Sequence, residues 1–351
     1  MDHTPTFPLN AWYVAAWSHE VGRQEPLART ICNTPIVFWR KSDNTIAALE
    51  DACWHRLLPL SLGRLDGDEV VCRYHGLAFD GMRVHLPSPN KLNPSACVKS
   101  FPNVERHRFV WIWPGDPALA DPSLVPDMHW NDDPEWEGDG QTMYAECDYR
   151  LFVDNLMDLT HESFVHATSI GNKHVAEAPM KTTHNDGTVT STRWMLDIDA
   201  PPFWRAQLGK PGNVDRWQVI EFEAPCTIVL DVGVALAGTG APDGDRSQGV
   251  NGRVLNTITP ETDTTCMYFW SLVRNYRLRD QALTTQLREA NAKIFLEDLV
   301  VVEAQQRMID RNPERSLNNL NIDAAAVWAR RATNDMIAKE TGTAGAGENS
   351  A

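Results

Sequence analysis

Two short segments of the chain each place one cysteine and one histidine close together. Cys53 and His55 are separated by Trp54, and Cys72 and His75 follow after a polar stretch, so the pattern is C-x-H-x16-C-x-x-H. Thiolate and imidazole groups are the ligands that iron and zinc commonly take in proteins. The four cysteine and histidine residues are therefore candidate metal ligands.

The order of these ligands separates two kinds of metal site. A zinc site with two Cys and two His usually groups like ligands together, as C-x2-C and H-x3-5-H. Here each segment contributes one ligand of each type. A Rieske [2Fe–2S] cluster uses this mixture, because two Cys bind one iron and two His bind the other. The cluster is the favoured interpretation, and a zinc site is the alternative.

A second group of candidate ligands lies near the middle of the chain. The segment 154–166, DNLMDLTHESFVH, contains Asn155, Asp158, His161 and His166. Two histidines five residues apart lie about 140° apart around a straight helix. They converge on one ion only if the helix bends or ends between them. Two unrelated histidines near a helix end are the alternative.

A third ligand for the same ion is expected far downstream, at Asp298. On a helix its neighbours three and four positions away are all Ile, Phe or Val, so its carboxylate points into the core. A buried carboxylate needs a partner or a metal, and a buried salt bridge is the alternative. Two His and one carboxylate form the facial triad of non-haem Fe(II) oxygenases, which leaves positions open for O₂. We expect His161, His166 and Asp298 to bind mononuclear Fe(II).

Composition and charge exclude several classes of protein. The chain has 351 residues, of which 42% are hydrophobic and 23% charged, and its formal net charge is −15. This is typical of a globular protein of two domains, and such an acidic chain is not expected to bind nucleic acid or an anionic membrane. No apolar run reaches the roughly 18 residues of a membrane span. Scattered cysteines and the absence of a signal-peptide pattern predict a cytoplasmic protein.

Short strands surround the first four ligands and position their loops. Runs rich in β-branched and aromatic residues, which we predict as strands of a small antiparallel sheet, are 11–17, 34–40, 45–49 and 109–113. Four prolines between residues 114 and 126 then indicate a domain boundary. We predict an all-β Rieske domain at 1–120 and a catalytic domain at 121–351.

The second part of the chain combines strand and helix patterns. Residues 144–166 are predicted to be at least partly helical, and 279–310 form a long helical pattern. Between residues 181 and 275 the strand-like runs are 217–222, 227–234 and 266–273. The fold class predicted is α+β, with an antiparallel sheet wrapped around a long helix. We expect the Gly- and Ala-rich tail from about residue 340 to be disordered.

Both ligand patterns and their surroundings resemble the Rieske non-haem iron oxygenases, specifically the oxygenase component of the vanillate O-demethylase type. The resemblance covers nearly the whole chain, and its further segments are 147–171, 200–205, 214–218, 258–261 and 321–324. The chain departs from the family at Trp54 and Arg73, where proline is usual. Neither residue is a ligand, so the departures concern the surface around the cluster.

The resemblance implies a role for each residue of the second group. It implies that His161, His166 and Asp298 are the mononuclear iron ligands. Asp158 matches a bridging carboxylate that links a cluster histidine of one subunit to an iron-ligand histidine of its neighbour, and Asn155 matches a residue near the iron. The resemblance therefore also implies a homotrimer, in which electrons pass between subunits.

The resemblance further implies partners and a reaction. Electrons are expected from an NADH-dependent reductase with a flavin and a ferredoxin-type cluster, because the chain contains no G-x-G-x-x-G pattern of its own. The expected reaction uses O₂ to O-demethylate a methoxylated aromatic acid such as vanillate, giving the phenol and formaldehyde. One alternative is hydroxylation or dealkylation of a different aromatic acid by the same machinery. Another is a Rieske electron-transfer protein without a catalytic iron.

Residues of the substrate pocket are predicted from their types alone. Asn256 is the predicted polar residue of the pocket. Candidates for its aromatic walls are Trp204, Trp217, Phe222, Tyr268 and Trp270. Candidates for pairing with a substrate carboxylate are Arg193, Arg205, Arg216 and Arg274.

Overall fold

The computed structural model describes residues 6–81, 84–85, 96–166, 170, 175 and 177–342. It divides the chain into two compact units. One consists of Leu9–Val125 with Thr259–Asp263, and the other of Pro126–Ile258 and the chain from Thr264 onward, together with the residues before Leu9. Among the described helices, none combines the length and the apolar character that crossing a membrane requires.

The described residues of the first unit form ten short strands in three sheets. The strands are β1 Tyr13–Trp17, β2 Leu27–Ile31, β3 Thr34–Arg40, β4 Ile46–Glu50, β5 Arg64–Asp66, β6 Glu69–Val71, β7 Ala78–Phe79, β8 Val84–His85, β9 Asn103–Arg106 and β10 Phe109–Ile112. The sheet orders are β1-β10-β9, β2-β3-β4 and β5-β6-β7-β8, and all pairs are antiparallel. The four strands predicted in this region are confirmed.

A small core joins two of these sheets. Trp39 of β3 and Phe79 of β7 are buried in it, and so are the thiols Cys53 and Cys72. The Trp39 indole donates a hydrogen bond to the carbonyl oxygen of Asp68 at 2.9 Å, so its one polar atom is satisfied. The side chains of Cys53 and Cys72 are therefore held in place by the hydrophobic core around them.

The second unit contains a seven-stranded antiparallel sheet. Its strands are β11 Glu137–Ala145, β12 Met180–Asn185, β13 Thr188–Ile198, β14 Val214–Glu223, β15 Thr227–Leu236, β16 Gly249–Thr262 and β17 Thr265–Arg274. Their order across the sheet is β11-β17-β16-β15-β14-β13-β12. Strands β12 to β17 lie side by side in chain order, whereas β11 is an edge strand that pairs with β17.

Four α-helices whose bounds lie within the described residues accompany this sheet. They are α1 Tyr149–Met157, α2 Pro202–Leu208, α3 Gln281–Arg311 and α4 Ala324–Thr341. The long helix α3 packs against β11 and β17, and α4 packs against β12 and β13. The α+β class and the long helix are thus confirmed. Residues 144 and 145 belong to β11 rather than to the predicted helix, and 340–341 are helical; 343–351 lie outside the described residues.

Packing of α3 explains why its apolar residues recur at helical spacing. Asp280 caps its first turn, because its carboxylate accepts a hydrogen bond from the Leu283 backbone N–H at 3.0 Å. Further along, the ring of Phe295 packs against Tyr268 and Trp270 of β17, with centroid distances of 5.2 and 5.0 Å. The helix face that carries Phe295 and Asp298 is therefore fixed toward the interior.

The sheet leaves no room for a side chain at Gly233. This glycine lies in β15 opposite Trp217 of β14, whose buried indole donates to the Asp231 carboxylate at 2.9 Å. A Cβ at residue 233 would lie 2.1 Å from Cζ2 of Trp217. We expect Gly233→Ala to lower the free energy of unfolding by about 1–3 kcal/mol, because the indole must shift. Urea denaturation followed by tryptophan fluorescence measures the change.

Gly252→Ala is the matched control for this prediction. The nearest atoms to a Cβ at residue 252 are 3.5 Å away, which is ordinary contact. Its stability should stay within about 1 kcal/mol of the parent protein, since no neighbour has to move. Equal losses in both variants would contradict the packing explanation.

Candidate metal centres and substrate cavity

The four predicted cluster ligands lie on two neighbouring loops of the first unit. Cys53 and His55 follow β4, whereas Cys72 and His75 lie between β6 and β7. The two thiols are 2% and 1% exposed, and both imidazoles are exposed. Each loop thus holds its sulfur inside the protein and presents its imidazole at the surface.

Both loops have the same backbone hydrogen bond. The Cys53 N–H donates to the carbonyl oxygen of Leu58 at 2.9 Å, and the Cys72 N–H donates to that of Leu77 at 2.7 Å. In both loops the acceptor lies five residues after the cysteine. The predicted cluster ligands are therefore held by two structurally equivalent turns, although the sequences of the turns differ.

These turns require a left-handed residue four positions after each cysteine. The φ angle is 74° at Gly76 and 58° at Leu57. Glycine adopts this conformation freely, whereas an L-residue such as leucine is strained there by about 1–2 kcal/mol. The Leu57 N–H donates to the Cys53 carbonyl at 2.8 Å, as Gly76 does to Cys72 at 3.0 Å. The hydrogen bond to the Cys53 carbonyl stabilises Leu57 in this strained conformation. Gly76 makes the equivalent bond without conformational strain.

Distances within this set fit a [2Fe–2S] cluster better than zinc. The Nδ1 atoms of His55 and His75 face each other at 3.1 Å. Burial raises the pKa of the Cys53 thiol, and a hydrogen bond with Cys72 raises it further, so the two sulfurs are also neighbours. A tetrahedral zinc site would draw three or more of these atoms together. Among the described residues such a group, within 4.8 Å, occurs elsewhere and not here.

The second predicted site forms where helix α1 ends. Its last residue is Met157, and a 3-10 turn, Leu159–Ser163, follows. The helix therefore ends before His161, earlier than the spacing alone required. Asp158 caps the new turn, because its carboxylate accepts from the Thr160 N–H at 2.8 Å. Its backbone carbonyl accepts a short hydrogen bond from Nδ1 of His161, which leaves Nε2 of that ring free to face inward.

The turn brings both histidines to the buried carboxylate of α3. Oδ1 of Asp298 lies 3.3 Å from Nε2 of His161 and 3.1 Å from Nε2 of His166. Adjacent ligands on a single first-row metal ion are separated by about 3 Å, given bonds near 2.1 Å. Asp298 is 2% exposed and His166 is also buried, so an ion here would be shielded from bulk water. The three side chains fit one metal ion.

Electrostatics support the same conclusion. Burial raises the pKa of Asp298, but hydrogen bonds and charge from both histidines outweigh it, and the net pKa is lowered. Burial lowers the pKa of His161 and His166, but Asp298 outweighs it and both are raised. The carboxylate of Asp298 thus favours positive charge beside it. A divalent ion would supply that positive charge instead.

Residues around the triad orient its ligands. Nδ1 of His166 lies 2.7 Å from Oε2 of Glu297, and Nδ2 of Asn155 donates to Oδ1 of Asp298 at 3.1 Å. Asn155 was predicted near the site, whereas Glu297 was not. The only sequence signal for a role of Glu297 was its position next to Asp298. Asp154 takes no part, because its carboxylate pairs with Arg330 of α4 at 2.5 Å.

A cavity of about 370 Å³ lies between the sheet and α3, beside this site. Its floor is a row of residues in register across three strands, Gln218, Val232 and Gly252. A second cavity of about 70 Å³ reaches the triad. Residues that line both cavities are Glu162, Ile170, Leu230, Val254, Asn291 and Ile294. The larger cavity therefore adjoins the metal site through the smaller one.

Few of the predicted wall residues line the larger cavity. Trp204 does, as do Arg216 and Arg274. The other predicted aromatics lie in the core, and among the remaining arginines Arg205 pairs with Asp199 at 2.5 Å.

Two further predicted residues, Arg193 and Asn256, are buried, and only Asn256 lines one of the two cavities. Arg193 donates to the Thr160 hydroxyl at 3.1 Å. Asn256 lines the smaller cavity, but its amide is engaged by Tyr268 and by the carbonyls of Ile228 and Val254. A substrate-binding role for Asn256 stays a prediction.

Known protein families match both units of the chain. Residues 11–102 match the Rieske [2Fe-2S] domain, and residues 145–339 match the vanillate O-demethylase oxygenase C-terminal domain. The vanillate O-demethylase oxygenase subunit of Pseudomonas sp. strain HR199 is 45% identical over 341 residues, which cover 95% of this chain and 96% of that protein.

Two other proteins are similar over almost their whole length. The iron-sulfur subunit of a toluene-4-sulfonate monooxygenase system from Comamonas testosteroni is 37% identical over 96% of this chain and 99% of that protein. A crystal structure of dicamba monooxygenase with non-haem iron and dicamba has a TM-score of 0.84 at 35% identity, covering 96% of this chain and 99% of that one. The chain belongs to the vanillate O-demethylase oxygenase family of Rieske non-haem iron oxygenases.

Proposed function

We propose that this chain is the terminal oxygenase component of a multi-component monooxygenase that O-demethylates a methoxylated aromatic acid. The observation that carries the proposal is the position of an apolar cavity with a buried arginine next to a site of two histidines and one aspartate. Relatives that act on vanillate support the substrate class.

Each part of the chain has a proposed task. Residues 1–120 hold the cluster through Cys53, Cys72, His55 and His75, and residues 121–351 hold the iron through the His161–His166–Asp298 triad. When bound, the cluster supplies single electrons and the iron supplies O₂ activation. The protein orients the ligands, keeps water out of the cavity and places the methoxy carbon near the triad.

The net reaction balances with O₂ and NADH. One oxygen atom enters a C–H bond of the methoxy group and the other leaves as water, with electrons from NADH and protons from solvent. The resulting hemiacetal loses its hydroxyl proton as the bond from methoxy carbon to phenolic oxygen breaks. The products are the phenol and formaldehyde. The apolar walls favour this outcome because they hold the ring in a dry, fixed orientation.

The proposal includes a partner, an NADH-dependent reductase with a flavin and a ferredoxin-type cluster. It also includes a homotrimeric assembly of this chain. Trp54, Leu57 and Tyr74 are large, apolar or aromatic and exposed around the cluster loops, as expected of a docking surface. In the second unit Val300 and Leu317 are likewise exposed. None of the seven cysteines forms a disulfide, which suits the cytoplasm, and that location stays a prediction.

Two alternative functions make different demands on the site. Hydroxylation or dealkylation of another aromatic acid requires the same residues and is favoured by the relative that acts on toluene-4-sulfonate. An electron carrier without catalytic iron would not need a buried carboxylate between two histidines. The geometry of Asp298 therefore favours an oxygenase.

The first prediction from the proposed function concerns the reaction itself. Given vanillate, NADH, O₂ and a surrogate reductase, the iron-replete protein should release formaldehyde one-for-one with the demethylated phenol. Iron and acid-labile sulfide are counted beforehand, and Asp298→Ala serves as the iron-free control. If the fully loaded protein, reduced photochemically for a single turnover, still yields no formaldehyde, O-demethylation of vanillate is rejected independently of the reductase.

The second prediction concerns Glu297, which accepts from the imidazole of His166. Glu297→Ala should weaken iron binding by about 10–100-fold, because a ligand histidine that loses its carboxylate partner is less well oriented and less basic. Competition with a chelator measures the affinity, while sulfide should stay unchanged. Glu289→Ala, an exposed acid on the same helix, is the control. Equal iron affinity in both variants would show that Glu297 does not support the ligand.

The third prediction concerns Asp158, which opens with His161 onto a surface cleft of about 290 Å³. In Asp158→Asn the amide oxygen still caps Thr160, so the turn and both metal sites should remain. Turnover should fall by about 10–100-fold, since the negative charge that supports a neighbouring imidazole is lost. Metal content and formaldehyde release are measured together. Normal turnover in a metal-replete variant would remove the bridging role.

A further inference from the structure

Arg216 and Gln218 form a polar corner in the otherwise apolar cavity. They lie two residues apart on β14, so their side chains point to the same face of the sheet. Both line the 370 Å³ cavity, and Arg216 is 3% and Gln218 1% exposed. The corner therefore lies inside the protein and forms part of the cavity wall.

Only part of the hydrogen-bonding capacity of the Arg216 guanidinium is used. Its Nη2 lies 3.4 Å from Oε2 of Glu162, at the long limit of a hydrogen bond. Its Nε and Nη1 are buried and have no hydrogen-bond partner in the described part of the chain. The other oxygen of Glu162 accepts from Gln218 Nε2 at 2.8 Å. Two nitrogen atoms of this buried cation thus have no hydrogen-bond acceptor among the described residues. Buried donors without an acceptor are rare in proteins.

The charges around the cavity favour an anion there. Three cationic side chains line it, Arg216, Arg274 and Lys293, against two acidic ones, Glu162 and Glu297. Of the acids, Glu297 is already engaged by His166. This excess of positive charge occurs in a chain whose formal net charge is −15. The cavity therefore differs in sign from the protein as a whole.

We propose that Arg216 binds the carboxylate of an aromatic acid and thereby sets which ring position faces the metal triad. Guanidinium and carboxylate form strong, charge-assisted hydrogen bonds, and Arg216 has unused donors. Glu162 contacts Arg216, lines both cavities and directly follows His161 in the chain. The carboxylate is thus held close to the metal site while the ring lies against Leu230, Val232 and the other apolar walls.

The size of the smaller cavity indicates which part of the substrate it can hold. Its volume of about 70 Å³ exceeds the share of one water in the liquid, about 30 Å³, but is small beside the 300–1,000 Å³ of typical ligand sites. It is therefore large enough for a small substituent such as a methoxy group, while the larger cavity beside it offers the space for the ring. This inference rests on the proposed function for the identity of that substituent, but the carboxylate contact itself does not depend on it.

Benzoate and benzamide are the probes that test the carboxylate contact. Both carry the ring, neither carries a methoxy group, and only benzoate carries the charge. Titration of the iron-replete protein, followed by calorimetry, should give tighter binding of benzoate than of benzamide. Arg216→Gln should weaken benzoate binding by about 10–100-fold and leave benzamide unchanged, as expected for one hydrogen-bonded charge pair. Arg216→Lys should give an intermediate affinity.

Controls separate this contact from folding and from the reaction. Arg205→Gln, which removes a surface arginine, should bind benzoate like the parent protein. If Arg216→Gln weakens benzoate and benzamide equally, or if the parent binds neither, the contact is rejected. If benzenesulfonate binds more tightly than benzoate, the carboxylate assignment is overturned. A positive benzoate result with no formaldehyde from vanillate would leave Arg216 as the anchor and reject only the O-demethylation.

Discussion

The carboxylate of Asp298 is the constraint that organises the catalytic unit. It lies in the middle of a helix whose neighbouring residues are apolar, so it cannot reach water and must be compensated where it is. Compensation comes from two imidazoles and one amide, all supplied by the end of α1 and the turn after it. The helix must therefore stop at Met157, and α3 must be held against the sheet, for this charge to be buried at all.

Ligand residues were the part of the site most accessible from the sequence. Cysteine, histidine and aspartate do chemistry that few other residues do, so the mixed Cys and His pattern predicted the first site. The second was predicted from two histidines together with the apolar helix neighbours of Asp298. Glu297 was missed because Lys293, one turn earlier, offered a plausible surface partner. Only the folded chain shows that the second nitrogen of His166 needs an acceptor and that Glu297 lies 2.7 Å from it. Helix α4 was missed because its apolar pattern is weak.

The cavity was less predictable than the ligands, for a reason of geometry. Aromatic residues on strands face either the core or a cavity, and the sequence does not distinguish the two. Tyr268 and Trp270 pack against Phe295, whereas Trp204 reaches the cavity from a short helix. Arginines are similar to one another in sequence but differ in surroundings: Arg216 is buried beside Glu162, and Arg205 lies at the surface with Asp199.

The row formed by Gln218, Val232 and Gly252 has a consequence for how such enzymes diversify. The backbone ladder that joins these three strands does not depend on the side chains that project from it, and the metal ligands lie on other elements. An exchange at one of these three positions therefore reshapes the cavity floor while the fold and the metal chemistry persist. Single exchanges on this floor would thus change which aromatic compound fits the cavity without altering the elements that carry the triad.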